Sequence, residues 1–313
     1  MAILTVTLNP ALDLETRTPR LSPGDKLRCE NPRRDPGGGG INVARAIALL
    51  GGQATAVVAA GGATGQNIAE ALRGLGIPLA LLPAPGETRS NLSVIETATG
   101  HQYRFIFPGP VWTSADLDAA GDGLTSLLTA GDFVVLSGSL PPGVSGSDLV
   151  RLSRRLNAKG AHVIADTSGE ALTTLAETAA GLRVLRMDSV EAEELIKRPL
   201  ATRRDSADTA EGLVKAGAAE IVIVARGAEG SVLVTRDGRW FAPAIDVPVV
   251  SVTGAGDSFV AGAILALSKG YDPGRMVQWG AAAASAAVTT EATALCDPEM
   301  FHHVLPQCPA EKI

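Results

Sequence analysis

Short, almost unbroken apolar runs alternate with helix-period segments along most of this chain, and that alternation constrains the fold more than any other feature. The runs are ILTVTL (residues 3–8), ATAVVAA (54–60), DFVVLSGSL (132–140), AHVIAD (161–166), LRVLRM (182–187) and EIVIVA (220–225). They lack the strict apolar–polar alternation of a strand with one face in water. Strands of that kind need cover on both faces, which a parallel sheet flanked by helices provides. Between and after them, INVARAIALLG (41–51), TGQNIAEALRGLG (64–76), AGDSFVAGAILALSKG (255–270) and PGRMVQWGAAAASAAVTT (273–290) repeat apolar residues at helical spacing. The expected fold class is α/β, a mostly parallel sheet with helices on both faces.

Two stretches leave this rhythm and return to it. Residues 14–35, LETRTPRLSPGDKLRCENPRRD, are polar and mixed, and residues 91–107, NLSVIETATGHQYRFIF, alternate like a hairpin turning at ATGH. Together they predict a small β-sheet lid, formed by about 11–35 and 88–108, on a single domain spanning 1–313. No repeat, low-complexity tract or linker divides the chain.

The totals exclude several classes of function. Lys plus Arg number 27 against 33 Asp plus Glu, a net charge of −6, so no overall field favours nucleic acid or an anionic membrane as partner. An anionic ligand needs a local site. Cys29, Cys296 and Cys308 lie far apart with no C-x-x-C pair, which argues against a disulfide framework and a zinc site. The N-terminal MAILTVTLNPALD lacks the basic and long apolar regions of a signal peptide. No apolar run approaches the roughly 20 residues of a membrane span. A soluble, cytoplasmic protein is expected.

Two glycine-rich stretches carry the chemistry. In DPGGGGINVARAI (35–47), Gly37, Gly38, Gly39 and Gly40 stand directly against a helix, although each glycine has more backbone freedom to lose on folding than any other residue. A tight strand-to-helix turn accounts for one or two of them but hardly for four. In SVTGAGDSFVAG (251–262) a glycine-rich turn enters an apolar helix, whose unpaired N–H groups and dipole favour an anion. Gly254 and Gly256 let backbone amides approach a phosphate. Asp257 reads as an N-cap, yet a carboxylate in a phosphate cradle repels its ligand unless it takes a proton from an incoming hydroxyl. Phosphoryl transfer needs that combination of donors and base. A P-loop is absent, and GAGDSF fails the dinucleotide fingerprint at its third glycine.

The pairing of PGGGGINVARA with VTGAGDSFVAG resembles the two signatures of the ribokinase (PfkB-type) sugar kinases, and TLNPALD, KLRC, AGGATG, YRF, SGSLPPG and DTSGEAL follow in the expected order. The likeness runs almost end to end. It implies a ribokinase-like fold with a β lid, ATP as cosubstrate, Mg²⁺, and Asp257 as the base beside an anion hole of Gly254, Ala255 and Gly256. On the sugar side it implies Asp13 and Asn42 as partners of hydroxyls, and the backbone of Gly38, Gly39 and Gly40 pressed against the sugar. For the substrate's own phosphate it implies Lys26, Arg89, Arg104 and Ser139, since charge-assisted bonds suit a dianion. Arg28, beside Lys26 in KLRC, has a second reading, a reach into a neighbouring subunit's site. Taken singly, each cation reads better as a solvated surface charge, Asp13 more often as a turn residue, and Ser139 as a capping hydroxyl.

On the nucleotide side the resemblance implies Arg186, Ala225, Gly227, Gly230, Thr253, Gly254, Gly256 and Ser285. Relatives carry K-P-N-x-x-E where this chain has Arg186, Met187, Asp188, Ser189, Val190 and Glu191. Asp188 and Glu191 still offer hard oxygens for Mg²⁺ and its waters, with one extra negative charge. Arg226 stands where an apolar residue is common. Thr290 and Ala292 replace the usual Asn and Gly of the adenine and monovalent-cation loop, and Val252 replaces a hydroxyl residue, which argues against activation by K⁺.

Within the family the likeness is strongest to enzymes that convert fructose 6-phosphate and ATP into fructose 1,6-bisphosphate and ADP. Kinases of fructose 1-phosphate or tagatose 6-phosphate are neighbouring alternatives. A non-catalytic binder of sugar phosphate or nucleotide is the alternative from another class, supported by the altered RMDSVE stretch and opposed by Asp257. Ile95, Phe105 and Phe107 give the lid an apolar face, which predicts a homodimer joined through the lid strands unless those side chains pack within the lid.

Overall fold

In the computed structural model, which describes residues 1–291 and 293–313, the strands fall into two sheets. Ala292, one of the two altered positions of the expected cation loop, lies outside the described residues. The chain opens with β1 (Ile3–Thr7), crosses into the smaller sheet with β2 (Ala11–Thr18) and β3 (Arg33–Gly37), and returns through α1 (Gly39–Leu49) and β4 (Thr55–Ala59). Next come α2 (Gly62–Gly74) and β5 (Leu79–Leu82), then the hairpin of β6 (Arg89–Glu96) and β7 (Gln102–Phe105). The second half alternates regularly: α3 (Ser114–Ser126), β8 (Phe133–Ser137), α4 (Gly146–Ala158), β9 (His162–Asp166), α5 (Gly169–Glu177) and β10 (Leu182–Asp188). Then α6 (Ser189–Ile196) and α7 (Arg203–Ala216) lead to β11 (Ala219–Ala225), followed by β12 (Ser231–Thr235) and β13 (Gly238–Ala242). The chain ends with α8 (Ala255–Ser268), α9 (Pro273–Ala287), α10 (Pro298–Val304) and β14 (Glu311–Lys312).

The larger sheet runs β14-β13-β12-β11-β10-β9-β8-β1-β4-β5. It is parallel from β11 to β5 and antiparallel from β11 to β14. All six apolar runs lie in the parallel part, buried on both faces. Along β8, Phe133 and Val135 join the layer of α1, α8 and α9, where Ile41, Ile47, Phe259 and Ile264 pack. Val134 and Leu136 join the opposite layer, with Leu124, Leu156, Leu175 and Val214 from α3, α4, α5 and α7. The period of two in a strand therefore fills two cores at once. The antiparallel edge, β12 to β14, lies beyond the runs that the sequence singled out. Among the described residues, no helix is long and apolar enough to cross a membrane.

The smaller sheet has the order β3-β2-β6-β7, with β2 and β6 parallel and the outer pairs antiparallel. The expected hairpin turn at ATGH falls between β6 and β7. From β1 the chain proceeds to β4 and β5 on one side and comes back to β8 on the other. That reversal opens a crevice at the carboxyl ends of β1 and β8, where open α/β sheets hold their ligands. Thr7, Ser137, Asp166 and Asp188 end β1, β8, β9 and β10 there.

Candidate active site

Gly254 caps α8 in the left-handed region at φ 80°, which a side chain tolerates poorly, and no side chain caps this helix. Ser258 N is the first amide of the ladder, donating to Gly254 O at 2.9 Å. Ala255 N donates a long 3.3 Å bond to Val252 O. The amides of Gly256 and Asp257 are left as the open donors of the first turn. Asp257 is not the N-cap, because its carboxylate turns away from the helix and accepts from Asn42 Nδ2 at 2.9 Å. Burial of that carboxyl, with Asp166 nearby, raises its pKa from 3.8 to about 7, against the opposing pull of the Asn42 hydrogen bond and Arg186. A carboxylate poised near neutrality beside free helix amides can accept a proton while the amides hold an anion.

Asp166, which the sequence reading passed over inside DTSGEAL, ties this corner together. Its carboxylate accepts from Arg186 Nη1 and from Ser137 Oγ, both at 3.1 Å. Both side chains of the Arg186–Asp166 pair are nearly buried, at 14% and 11% exposure. Burial works against the Arg186 charge, but Asp166, Glu191 and Asp188 outweigh it and raise its pKa. The guanidinium lies against the start of α8: a Cβ on Gly256 would stand 3.2 Å from Nη2. The signal in sequence was a charged residue closing an apolar run at a strand's carboxyl end.

Asp188 and Glu191 form a capping box at α6. Glu191 N donates to Asp188 Oδ1 at 2.9 Å and Asp188 N to Glu191 Oε2 at 2.8 Å. Each carboxylate thus commits one oxygen to the helix. Burial, with Asp188 close by, raises the pKa of Glu191. Among the described residues, no three His, Cys, Asp or Glu side chains converge as a ready-made metal cage.

The four glycines are explained by close contacts with distant parts of the chain itself and not by turn geometry. A Cβ on Gly37 would run into the Asp13 carboxylate, and one on Gly38, at φ 128°, into Thr7 Cγ2. One on Gly39 would stand 2.7 Å from Gly138 N, and one on Gly40 2.6 Å from Val6 O. The run is wedged against the ends of β1 and β8, so side chains are excluded before any ligand arrives.

Asp13 stands within β2, which removes its reading as a turn residue. It pairs across the sheet with Asn91, whose Nδ2 donates to Asp13 Oδ1 at 2.8 Å, and with Asp35. Burial and Asp35 raise its pKa against Asn91, Arg89 and Arg104. Arg89 donates to Asn9 O at 3.2 Å and Phe107 O at 3.1 Å. Ser139 Oγ accepts from Asn9 Nδ2 at 3.2 Å. The fold therefore gathers Asp13, Arg89, Arg104, Asn42 and Ser139 around the crevice, and adds Asn9 and Asn91, whose short side chains carried no motif signal. Lys26 and Arg28 are exposed in the connection between β2 and β3.

On the other flank, Ala225 ends β11, and Gly227 and Gly230 bound a 3₁₀ turn in left-handed conformations, φ 55° and 122°. Arg226 is buried and points away from the turn's open side: it donates to Leu200 O at 3.0 Å and Ser206 Oγ at 2.6 Å, and pairs with Glu229. Its charge organises the α6–α7 connection in place of an apolar side chain. Ser285 is buried on α9, with its hydroxyl accepting from Ile245 N at 3.2 Å, whereas Thr253 is exposed. Thr290 donates to Leu295 O at 2.6 Å. The neighbouring Thr293 is tied both to α1, whose Arg45 donates to its carbonyl at 2.8 Å, and to the smaller sheet, where its hydroxyl donates to Asp35 of β3 at 3.2 Å.

The family model for pfkB family carbohydrate kinases matches residues 7–300. The ATP-dependent 6-phosphofructokinase isozyme 2 of Mycobacterium tuberculosis is 38% identical over 295 residues, covering 94% of this chain and 86% of the relative. The 1-phosphofructokinase of Xanthomonas campestris is 35% identical over 266 residues, covering 84% and 83%. The crystal structure of phosphofructokinase-2 from Escherichia coli in complex with substrates and products superposes with a TM-score of 0.90 at 37% identity, over 98% of this chain and 99% of that one.

Proposed function

The chain belongs to the pfkB family of carbohydrate kinases, and from that premise we propose that it transfers a phosphoryl group from ATP to fructose 6-phosphate, giving fructose 1,6-bisphosphate and ADP. The observation that carries this reading is Asp257 itself: a carboxylate with a pKa of about 7, held by Asn42 at the uncapped start of α8. A module that only binds phosphate gains nothing from a negative charge there.

The chain's own groups divide the work. Asp257 takes the proton of the sugar's C1 hydroxyl as its oxygen attacks the γ-phosphorus and the bond to ADP breaks. The amides of Gly256 and Asp257, and the dipole of α8, stabilise the charge on the transferring phosphoryl group. Asp13 and Asn42 hold sugar hydroxyls, and the backbone of Gly38, Gly39 and Gly40 forms the wall beneath them. Arg89, Arg104 and Ser139 take the sugar's phosphate, with Lys26 from the exposed connection. Arg186 faces the nucleotide's phosphates, and Ala225, Gly227, Gly230, Thr253 and Ser285 border its nucleoside end.

The donor set suits Mg²⁺, which binds one or two carboxylates and phosphates while keeping several waters, so no closed cage is needed. Asp188 and Glu191 would hold it on their uncommitted side, and it would neutralise charge on the phosphates. Closure of the smaller sheet as a lid excludes water and suppresses hydrolysis of ATP. Exposed Phe105 at the end of β7 and Phe107 just beyond it support a homodimer formed through the smaller sheet. The free thiols of Cys29, Cys296 and Cys308 suit the cytoplasm.

Phosphorylation of fructose 1-phosphate is the second reading, favoured by the relative at 35% identity. ADP release with Mg·ATP and, in turn, fructose 6-phosphate, fructose 1-phosphate and tagatose 6-phosphate separates them by kcat/KM, with Asp257→Asn as the control for the base. Turnover highest on fructose 6-phosphate and lost in the variant supports the reading. Tight binding without turnover sinks it in favour of the non-catalytic alternative.

A further inference from the structure

Asn9 lies just after β1 with 9% of its surface exposed, and its hydrogen bonds define its orientation. Nδ2 donates to Leu140 O at 3.1 Å and to Ser139 Oγ at 3.2 Å. A backbone carbonyl only accepts, so Leu140 O fixes the NH₂ end on that side, and both of its hydrogens are then in use. Ser139 Oγ, receiving one of them, keeps its own hydrogen to give. Ser139 is exposed to the crevice, so that hydrogen is available to an acceptor-only group such as a phosphate oxygen.

The other end of the amide is unpaired. Among the described residues, Asn9 Oδ1 is a buried acceptor with no hydrogen-bond partner and Arg89 Nε a buried donor with none. Both adjoin Gly109, where a Cβ would run into Asn9 Oδ1 and stand 3.7 Å from Arg89 Cδ. Arg89 already donates from Nη2 to the backbone oxygen of Asn9 at 3.2 Å, while Nη1 is held by Phe107 O. Pairing Nε with Oδ1 would satisfy both orphans; with Nη1 kept on Phe107 O and Asn91 Oδ1 and one Nη2 hydrogen on Asn9 O, the second Nη2 hydrogen is left for an anion in the crevice.

We propose that Asn9 is a positioning residue for the phosphate end of the sugar, its amide NH₂ fixing Ser139 as a donor and its Oδ1 seating Arg89. The proposal rests on the reading of the chain as a sugar-phosphate kinase. It makes the residue a determinant of specificity: an unphosphorylated sugar leaves the Ser139 and Arg89 donors without their acceptor.

The test compares wild type, Asn9→Ala and the isosteric Asn9→Asp, with fructose 6-phosphate and with fructose, and with thermal unfolding of each. For both variants KM for fructose 6-phosphate rises by about tenfold to a hundredfold, while kcat, KM for ATP and kcat/KM for fructose stay within about threefold. The preference for the phosphorylated sugar contracts by the same factor. Adding Asn9→Ala to Ser139→Ala raises KM by less than it does alone, because one route of action has already been removed. If Asn9→Ala does not fold, Asn9→Asp carries the comparison. Unchanged KM for fructose 6-phosphate in an active enzyme overturns the role of Asn9 alone. A uniform loss across every constant, with a lowered Tm, overturns it in favour of a structural role. A wild type that turns over no sugar phosphate overturns the kinase reading and this proposal with it.

Discussion

Asn42 Nδ2 donates a 2.9 Å hydrogen bond to Asp257 Oδ2, joining the first turn of α1 to the first turn of α8 across 215 positions of sequence. The bond favours the ionised carboxylate, whereas burial and Asp166 favour the protonated one. With the base at about 7, kcat/KM falls tenfold per unit as pH drops below that value and levels above it. Asn42→Ala removes a stabilising donor, so the midpoint moves upward. Turnover should fall several-fold more at pH 6.5 than at pH 9. A pH–rate profile of the two proteins decides it, and equal losses at both pH values would assign Asn42 to sugar contact alone.

The same carboxyl links folding to pH. Its folded pKa is raised, from 3.8 to about 7, so between those values the folded chain binds more protons than the unfolded chain. Stability contributed by the protonated form is present below pH 3.8 and is lost progressively as pH rises to about 7. Asp257→Asn escapes that loss. Its Tm should exceed wild type at pH 8 and match it near pH 4, while kcat falls by about 10²–10⁴. Melting curves at the two pH values, beside the rate, check both signs.

How far the sequence revealed this arrangement follows from the range of each interaction. The six inner strands were legible because burial on both faces leaves an unbroken apolar run, and Asp257 was legible because its glycines and helix adjoin it. Asp166 was not, since a lone Asp after a strand looks like a turn residue until Arg186, from the next strand, closes on it at 3.1 Å. The glycine run signals a close approach in sequence, but its protein neighbours do not show there. Gly39 meets Gly138 N, about a hundred positions away, and no local pattern encodes that contact. The strands β12 to β14 escaped notice for a related reason: they extend β11 by successive antiparallel pairings, outside the βα rhythm.

Adding a methyl group to the glycines separates packing from chemistry. At Gly40 the new Cβ would lie 2.6 Å from both Val6 O and Thr7 Oγ1, in a wall of backbone that cannot yield. Gly40→Ala should therefore cost about 2–3 kcal/mol of stability by overpacking. At Gly256 the backbone is ordinary and the three atoms nearest the Cβ all belong to the Arg186 guanidinium, at 3.2, 3.4 and 3.5 Å. Gly256→Ala should retain the wild-type denaturation midpoint while KM for ATP rises. Chemical denaturation and steady-state kinetics on the pair distinguish the two, and a destabilised Gly256→Ala would contradict the contact geometry.

Asp188→Asn isolates one charge. Asn caps a helix about as well as Asp, so the α6 terminus keeps its bond to Glu191 N and Tm should change by less than about 1 kcal/mol equivalent. The carboxylate cluster around Arg186 loses one negative charge, and Mg²⁺ loses an anionic partner. Half-saturation by Mg²⁺ in the ADP-release assay should shift several-fold to higher concentration, and excess chelator should abolish turnover in both proteins. An unchanged Mg²⁺ curve would remove Asp188 from the metal's surroundings and leave it a helix cap.

Every residue of β7 is exposed, and Phe105, Ile106 and Phe107 show 46, 58 and 51% of their surface. By register Phe105 shares a face with Leu92 and Val94, whereas Ile95, opposite Gln102, points to the other side, so the expected apolar face of Ile95 with Phe105 is not formed. Apolar side chains at the end of an outer strand and just beyond it invite pairing with another strand unless charge or cover intervenes. A second copy of the sheet would supply that cover by burying the phenylalanines against their equivalents about a two-fold axis. Phe105→Glu with Phe107→Lys should convert a dimer to a monomer in sedimentation experiments, with Tm little changed because neither side chain supports the two main cores. KM for the sugar phosphate should rise in the monomer if Arg28 or Lys26 reaches the neighbouring crevice. A double variant that remains dimeric would place the interface on another face.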